Sequence, residues 1–291
     1  MSKSKTDAKT KPKDPKLASP SLSIKLYTLI VERRKVMEPR VKSTTVAMKP
    51  EVRWEEDPSV IPPPKDILAM LKAIPYAPKS ETEITAGFTS VTPGKANDGV
   101  VNAEFAARYP VSLLTYSPEG ELVKKTYIVV DTAKVKIKTD RGIIEVRGSE
   151  RTARRFGREF RRALRQAIPL QEYRVRLPPL NLNGGSRKIY TQATEISSVL
   201  VSGLSKGNLS QIEFKGQAIQ AEGEVGLYER KFGGHIARFR GKFPYPSGAT
   251  FTTSVNTDSG TALIYRGESD RIIEKDINYI VSLLEEAALG S

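Results

Sequence analysis

The chain has 291 residues, and its 47 lysines and arginines exceed its 33 aspartates and glutamates to give a formal net charge of +14 at pH 7. This length suffices for one large domain or two domains of ordinary size, and the charge favours phosphate-bearing or otherwise anionic partners. The sequence has no cysteine and one histidine, His235. Disulfides, thiolate metal sites, cysteine nucleophiles and multi-histidine metal sites are therefore excluded.

Residues 1–20, MSKSKTDAKTKPKDPKLASP, are rich in lysine and predict a disordered basic tail. They contain no apolar segment of the kind that a signal peptide needs. No stretch of the sequence approaches the roughly 18 apolar residues that a membrane-spanning helix requires. We expect a cytoplasmic protein, or a nuclear one in a cell with a nucleus, that has no membrane partner.

The first structured elements are predicted from residue periodicity. Alternating apolar residues from Leu22 to Ile30 predict a half-buried strand. The charged, proline-containing stretch from Glu32 to Pro64 predicts mainly a connection, with one strand near Val46. The stretch that follows, to Ile74, has apolar residues at helical spacing and predicts a short helix that Pro75 ends.

Residues 108–148 predict four antiparallel strands. The strand-like runs are RYPVSLLTYS, ELVKKTYIVVD, KVKIKT and IIEVRG, with the turn signals PEG and DRG among their short connections. Directly afterwards, residues 147–166 read RGSERTARRFGREFRRALRQ, with eight arginines, two glutamates and no lysine. This segment predicts an arginine-rich amphipathic helix.

A similar order of elements returns in the second half of the chain. QIEFKGQAIQAEG, VGLYERKF, HIARFRGKF, TFTTSVNT and ALIYRG predict strands, and a helix follows from about Ser269 to Leu289. The segment 139–142 (TDRG) corresponds to 257–260 (TDSG), and 146–148 (VRG) to 265–267 (YRG). Because Asp-x-Gly turns and a glycine before a helix also have local reasons, a chance match is the alternative to duplication.

The repeat predicts an α+β fold of two similar units. Each unit is an antiparallel meander of four or more strands followed by an amphipathic helix packed on the sheet. The predicted domains are the tail 1–20, an N-terminal unit 21–168 with its core meander and arginine helix at 108–168, and a linker plus C-terminal unit at 169–291. Within the last of these, the segment 194–210 predicts a helix in preference to a strand and loop.

The arginine helix has two distinct sides at about 100° per residue. One arc of about 80° collects the apolar residues Ala153, Phe156, Phe160, Ala163, Leu164 and Ala167. The opposite arc of about 120° collects Arg151, Arg154, Arg155, Arg158, Arg161, Arg162 and Arg165. The first arc predicts the side that packs on the sheet, and the second predicts an exposed basic face.

An exposed helix face must be polar in any case, so solubility is the simplest explanation of these arginines. Against it, like charges at i,i+3 and i,i+4 repel by about 0.2–0.5 kcal/mol per pair, which mixed charges would avoid. Arginine also binds phosphate or carboxylate bidentately. The C-terminal helix, with a predicted buried stripe of Ile273, Ile277, Ile280, Val281 and Leu284, is slightly acidic outside, so solubility does not demand arginine.

Further basic residues add to the predicted nucleic-acid-binding set outside the helix. They are Arg174, Arg176, Arg187, Lys188, Arg238 and Arg240. The loop NGGSRK at 183–188 lacks the GxxxxGK[ST] spacing of a nucleotide site and predicts at most a contact with a backbone phosphate. Tyr228, Phe232, Phe239, Phe243 and Tyr245 would stack on bases only if they were exposed, and strand alternation places Phe239 in the core.

Candidate catalytic groups are few. Asp131, Asp140 and Glu145 fall on neighbouring predicted strands, as a metal-dependent nuclease would need. However, Asp140 is explained as a turn former, Glu145 as an outward strand residue, and His235 as a residue beside a hairpin turn. We therefore expect a protein that is not an enzyme and that has no catalytic residues, metal or cofactor.

The sequence thus predicts a non-enzymatic nucleic-acid-binding protein. Double-stranded DNA is favoured over structured RNA or a ribonucleoprotein, and the contacts are expected to be with backbone phosphates, which position a protein without reading sequence. One alternative is a scaffold or assembly subunit whose arginine face docks an acidic protein partner in a larger complex. Another is a curved sheet that encloses a small apolar ligand with its terminal helix.

Overall fold

The structure is a computed structural model that describes residues 21–37, 51–95, 98–169, 171–219, 223–266 and 271–289. Two antiparallel sheets and five α-helices account for most of these residues. The predicted tail 1–20 and the predicted strand near Val46 lie outside the described residues.

The elements have the following bounds. The strands are β1 (Ser21–Thr28), β2 (Ile30–Met37), β3 (Glu51–Glu56), β4 (Ala86–Pro93), β5 (Val100–Tyr116), β6 (Leu122–Lys138), β7 (Ile143–Arg147), β8 (Tyr173–Arg176), β9 (Glu195–Lys206), β10 (Leu209–Lys215), β11 (His235–Pro244), β12 (Thr250–Asn256) and β13 (Thr261–Tyr265). The helices are α1 (Pro64–Lys72), α2 (Glu150–Ala167), α3 (Ser186–Gln192), α4 (Glu224–Phe232) and α5 (Glu274–Leu289).

Ten of the strands form one sheet in the order β10-β9-β11-β12-β13-β1-β7-β6-β5-β4. A smaller sheet has β2 between β3 and β8. In the large sheet β1 lies at the centre, where Ile24 stands opposite Ala262 of β13 on one side and Arg147 of β7 on the other. The first strand of the described chain therefore joins the two halves of the sheet.

Each half of the large sheet packs its core on a different face. Alternation sends Ile24 of β1 into the core of the C-terminal half, which α5 covers with residues such as Leu284. The same alternation sends Tyr27 to the other side, into the core of the N-terminal half, which α2 covers with Phe156 and Phe160. We call these two sides of the sheet the α5 face and the α2 face.

The prediction of two similar strand-then-helix units is wrong. The protein is mostly β, with one ten-stranded antiparallel sheet running through both halves. β7 and β13 flank β1 and both run antiparallel to it, yet the helices that follow them cover opposite faces. The correspondence is real only in the two turns, where Gly142 and Gly260 both have positive φ, +60° and +57°.

The predicted strand count also fails in the N-terminal half. The second and third predicted runs form the single 17-residue strand β6, which pairs along its whole length with the 17-residue β5. The region predicted to form four strands therefore forms three, β5, β6 and β7. The unpredicted β4 lies beside β5 at the edge of the sheet. Residues 109–116 and 122–129 of this hairpin pair only with each other among the described strands, so they form a two-stranded ribbon.

Several other predictions fail for local reasons. The segment at 194–210, predicted as a helix, is mainly β9, whose buried Ile196, Val199 and Val201 are β-branched. The run VGLYERKF, predicted as a strand, is α4, because Gly233 ends a helix in the left-handed conformation (φ +68°) rather than closing a hairpin. The predicted connections contain β2, β3, β8 and α3.

Other predictions of elements are confirmed. The predicted strand from Leu22 is present as β1 with the start of β2, and the predicted helix from Pro64 is α1. The arginine helix is α2, and the C-terminal helix is α5. Two residues depart from the predicted buried stripes: Ala167 is exposed at the end of α2, and Ile273 lies just before α5 with 46% of its surface exposed.

Aromatic packing holds α2 on the sheet. Phe156 and Phe160 are fully buried and stack with ring centroids 5.4 Å apart. Phe156 also meets Phe105 of β5 edge-on at 5.7 Å and Phe88 of β4 at 6.3 Å. At the entry to the helix, a Cβ on Gly148 would lie 2.7 Å from the Cβ of Ala133, so only glycine allows the chain to leave β7 this close to β6.

Ion pairs hold α5 against the α5 face of the N-terminal half. The buried Arg147 pairs with the buried Glu145 and donates to Oε2 of Glu274 at 2.6 Å. Lys136 reaches Oε1 of the same carboxylate at 2.8 Å. Partial burial raises the pKa of Glu274, but the hydrogen bonds from Arg147 and Lys136 outweigh it and lower the pKa to about 2.

We expect Phe156→Ala to lower the free energy of unfolding by about 3–5 kcal/mol, because the substitution leaves a cavity between α2 and two strands. Urea denaturation followed by circular dichroism measures this change. Ala167→Gln is the matched control on the same helix, and its effect should stay within about 0.5 kcal/mol because Ala167 is exposed. A loss for Ala167→Gln as large as that for Phe156→Ala would contradict this packing.

We expect Glu274→Gln to destabilise the protein at neutral pH and to lose this effect in acid. Because the folded-state pKa is about 2, below the ordinary value of 4.5, the carboxylate contributes stability above pH 4.5, and this contribution is lost as the pH falls toward 2. Unfolding free energies of both proteins between pH 7 and pH 2.5 should therefore converge. A constant difference across this range would show that the ion pairs do not supply the stability.

Candidate nucleic-acid interface

The first turn of α2 is fixed by Asp131 of β6. Oδ2 of Asp131 accepts hydrogen bonds from Nε of Arg151 at 2.7 Å, Oγ of Ser149 at 3.1 Å and Oγ1 of Thr152 at 3.3 Å. Ser149 is also the N-cap and accepts from the backbone N–H of Thr152. The bond from Arg151, together with the two hydroxyls, holds the pKa of Asp131 below its ordinary value. Asp131 thus orients the basic helix.

A basic cleft of about 470 Å³ runs along one flank of α2. Its lining residues are Lys25, Tyr27, Tyr109, Arg151, Arg154, Gly157, Arg158, Arg161 and Leu177. The four arginines recur every three or four residues, so they form one row along the helix. Across the cleft, the side chains of β1 and of the root of the β5–β6 ribbon complete the wall.

Two groups of contacts fix the walls of this cleft, one around Tyr109 and one around Glu150. The guanidinium of Arg151 lies 4.5 Å from the ring centroid of Tyr109, whose hydroxyl donates to the carbonyl oxygen of Arg151 at 3.2 Å. Nζ of Lys25 lies 3.2 Å from Oε1 of Glu150, and Nη2 of Arg154 lies 2.9 Å from the same oxygen. The bonds from Arg154 and Lys25 lower the pKa of Glu150, so this acid is ionised beside the cleft.

Tyr27 lies among these cations as a neutral hydroxyl. Burial, with a smaller contribution from Glu150, raises its pKa to about 12 despite the nearby Arg154 and Arg161. Gly157 opens the cleft on the helix side, because a Cβ at this position would meet no atom within 4 Å outside its own chain neighbours and helix backbone. The cleft therefore offers guanidinium groups, an ammonium group and a phenol, the chemistry of an oxyanion site.

The seven arginines of α2 divide into paired and unpaired groups. Arg151, Arg154 and Arg155 form ion pairs with Asp131, Glu150 and Glu159 respectively. The other four form no ion pair with any described residue, and they are Arg158, Arg161, Arg162 and Arg165. The unpaired charge is thus concentrated in the second half of the helix, where the helix dipole also favours cations near Arg165.

Most predicted binding residues outside α2 are neutralised by the protein itself. Arg174 and Arg176 share the buried carboxylate of Glu32, whose pKa the hydrogen bond from Arg174 lowers most. The remaining pairs are Arg187 with Glu229, Lys188 with Glu286, and Arg238 with Glu213. Arg240 has no such acid among the described residues and lies over the ring of Tyr265, 4.5 Å from its centroid.

The structure brings only part of the predicted set together. Arg238 and Arg240 lie on the α2 face, because they stand opposite Asn256 and Ser254 of β12 and alternate with the buried Phe239. Lys188 instead reaches Glu286 of α5. Sequence analysis missed Lys25, Tyr27 and Tyr109, although in SLSIKLYT the first two fall on the polar side of the strand.

The other predicted contact residues are not available. The prediction that Phe239 is in the core is confirmed, and Phe243 and Tyr245 are buried too, so none of the three stacks on a base. The glycine loop of NGGSRK packs against α5, since a Cβ on Gly185 would lie 2.2 Å from the carbonyl oxygen of Ala287. Glu145, predicted to point outward, is buried beside Arg147.

Two broader properties of the described residues bear on function. No helix among them is long and apolar enough to cross a membrane. No group of three or more histidine, aspartate or glutamate side chains in the same residues is placed to hold a metal ion.

No protein-family model matches the chain, and no curated protein matches it.

We expect Gly157→Ala to stabilise the protein by up to about 1 kcal/mol, because alanine favours a helix over glycine and the methyl group enters the open cleft. Gly87→Ala is the opposite case. Its Cβ would lie 2.5 Å from the carbonyl oxygen of Pro75, so we expect destabilisation. The midpoint of thermal unfolding, measured for both variants, tests these expectations. A lower midpoint for Gly157→Ala would show that other atoms of the protein occupy the space beside Gly157.

Proposed function

We propose that this protein binds double-stranded DNA through phosphate contacts and without catalysis. The observation that carries the proposal is the group of four α2 arginines, Arg158, Arg161, Arg162 and Arg165, that the described residues leave without ion pairs beside a cation-lined cleft. Guanidinium groups favour bidentate contacts with phosphate. Backbone contacts of this kind supply affinity and orientation rather than sequence recognition.

The spacing of the arginines suits an extended anion. Arg154, Arg158 and Arg161 lie along a rigid row of about 10 Å at 1.5 Å rise per residue. A DNA duplex carries one negative charge per roughly 1.7 Å of its axis, so about six charges, distributed over both strands, lie within a length of duplex equal to that row. A duplex therefore provides enough phosphates for every unpaired arginine of α2, with the row held in place by the buried Phe156 and Phe160.

The test is binding of a fluorescent DNA duplex across a salt series. With about five phosphate contacts, the logarithm of the association constant should fall against the logarithm of salt concentration with a slope of about −4.5. The triple variant Arg158→Gln, Arg162→Gln, Arg165→Gln removes three exposed unpaired cations. We expect its slope to be shallower by about 2.7, because each phosphate contact contributes about 0.9.

The matched control removes three cations from the other side of the molecule. Lys134 lies on the α5 face, Lys275 lies on α5, and Lys188 is paired with Glu286. Their triple change to Gln lowers the net charge equally and should leave both affinity and slope nearly unchanged. Absence of duplex binding by the unmodified protein at low salt would refute the proposal, as would a partner that stays bound to it after nuclease treatment.

A further inference from the structure

We infer that the uncovered α2 face of the C-terminal half of the sheet is the second side of the DNA-binding surface. This inference rests on the proposed function. It adds that the duplex is held between two cationic rows, one on α2 and one on β11. The second row consists of Arg238, Arg240 and Lys242, which share a face because they alternate along β11.

Strand register places the surface on the side of the sheet that α2 occupies. Arg240 stands opposite Ser254 of β12, Ser254 opposite Leu263 of β13, and Leu263 opposite Ser23 of β1. Residues that stand opposite each other in a sheet point to the same face. Ser23 shares its face with Lys25 and Tyr27, two residues of the basic cleft, so β11 and the cleft lie on one continuous side.

No described helix covers this part of the sheet. α3, α4 and α5 all pack on the opposite face, through contacts such as Tyr190 with Phe239 and Tyr228 with Phe214. The floor between β11 and β1 is half-buried and mostly small and polar. Its side chains are Ser21, Ser23, Thr252, Ser254, Asn256, Thr261, Leu263 and Tyr265.

The two uncovered polar parts of the sheet differ in how their charge is balanced. On the α5 face of the N-terminal half, Lys136 and Lys138 receive Glu274 and Glu285 from α5. On the α2 face, the adjacent helix carries a row of arginines and supplies Glu150 to Lys25 of β1, and no described helix supplies an acid to β11. Arg238 and Lys242 have only the partly exposed Glu213 and Glu195, at 3.4 Å and 2.8 Å.

Arg240 is the best placed of the three cations. It is exposed, it forms no ion pair with a described residue, and its guanidinium lies over the ring of Tyr265. Stacking on an aromatic ring holds a guanidinium in one orientation while its N–H groups stay free to donate. An arginine fixed in this way loses less conformational entropy when it binds a phosphate.

The floor between β11 and the cleft beside β1 is about as wide as one groove of a duplex. β11 and β1 are three strand spacings apart, or about 14 Å at 4.7–4.9 Å per spacing. The major groove of B-DNA is about 12 Å wide. A duplex laid on this hydroxyl-rich floor would place one of the two phosphate backbones that border a groove beside the β11 row and the other at the cleft that the α2 arginines line.

The experiment compares the double variant Arg238→Gln, Arg240→Gln with the double variant Lys134→Gln, Lys275→Gln, which lies on the α5 side. Both are measured by salt titration with a DNA duplex and with a single strand of the same length. We expect the β11 variant to bind the duplex with a slope shallower by about 1.8, because two phosphate contacts are lost. We expect a smaller loss with the single strand, which has only one backbone.

The outcomes separate this inference from the proposed function. If the β11 variant binds the duplex like the unmodified protein while the α2 triple variant is weakened, the inference is overturned and the proposed function stands. Equal losses with duplex and single strand would overturn the two-backbone arrangement. If the unmodified protein binds neither DNA, the proposed function itself fails. Circular dichroism and unchanged thermal unfolding show that the variants are folded.

Discussion

The alternation of side chains along β1 is the constraint on which the rest of the structure depends. Ile24 and Leu26 enter the core under α5, whereas Tyr27 enters the core under α2. Because one central strand serves two cores on opposite faces, each half of the sheet has one apolar, helix-covered side and one polar side. The two polar sides therefore lie in opposite halves of the sheet and on opposite faces. The charged residues that face them determine which ligands each side can bind.

Charge is distributed differently over these two polar sides. α5 brings Glu274 and Glu285 to the lysines and to Arg147 on one side, so the sheet and the helix neutralise each other. α2 brings a row of arginines to the other, where Arg240 adds a further cation that forms no ion pair with a described residue. If stability were the only requirement on this sequence, we would expect positive and negative charges to be balanced on both polar sides. The imbalance on the α2 face is the physical reason for expecting an external polyanion.

Sequence patterns predicted what is local and missed what depends on partners. The helical period and the Asp-x-Gly turns specify α2 and the turns before β7 and β13 without reference to the rest of the chain. The choice of sheet face for each helix depends instead on β1, which no periodicity within α2 or α5 reveals. Likewise Glu32 neutralises two arginines that follow it by 142 and 144 residues, so their loss from the candidate site was not predictable from neighbouring residues.

The β5–β6 ribbon extends beyond the rest of the large sheet. Beyond β4 and β7 its strands pair only with each other among the described strands, and the tip exposes Leu114 and Tyr116 (66% and 76%). Two-stranded ribbons without further packing are marginally stable in water, so the tip opens locally at a small fraction of the global unfolding free energy. Its root is not free in the same way, because Tyr109 is tied to Arg151. The root of the ribbon is therefore anchored to the first turn of the basic helix, so a ligand that bound this turn would lie beside the point where the ribbon is held.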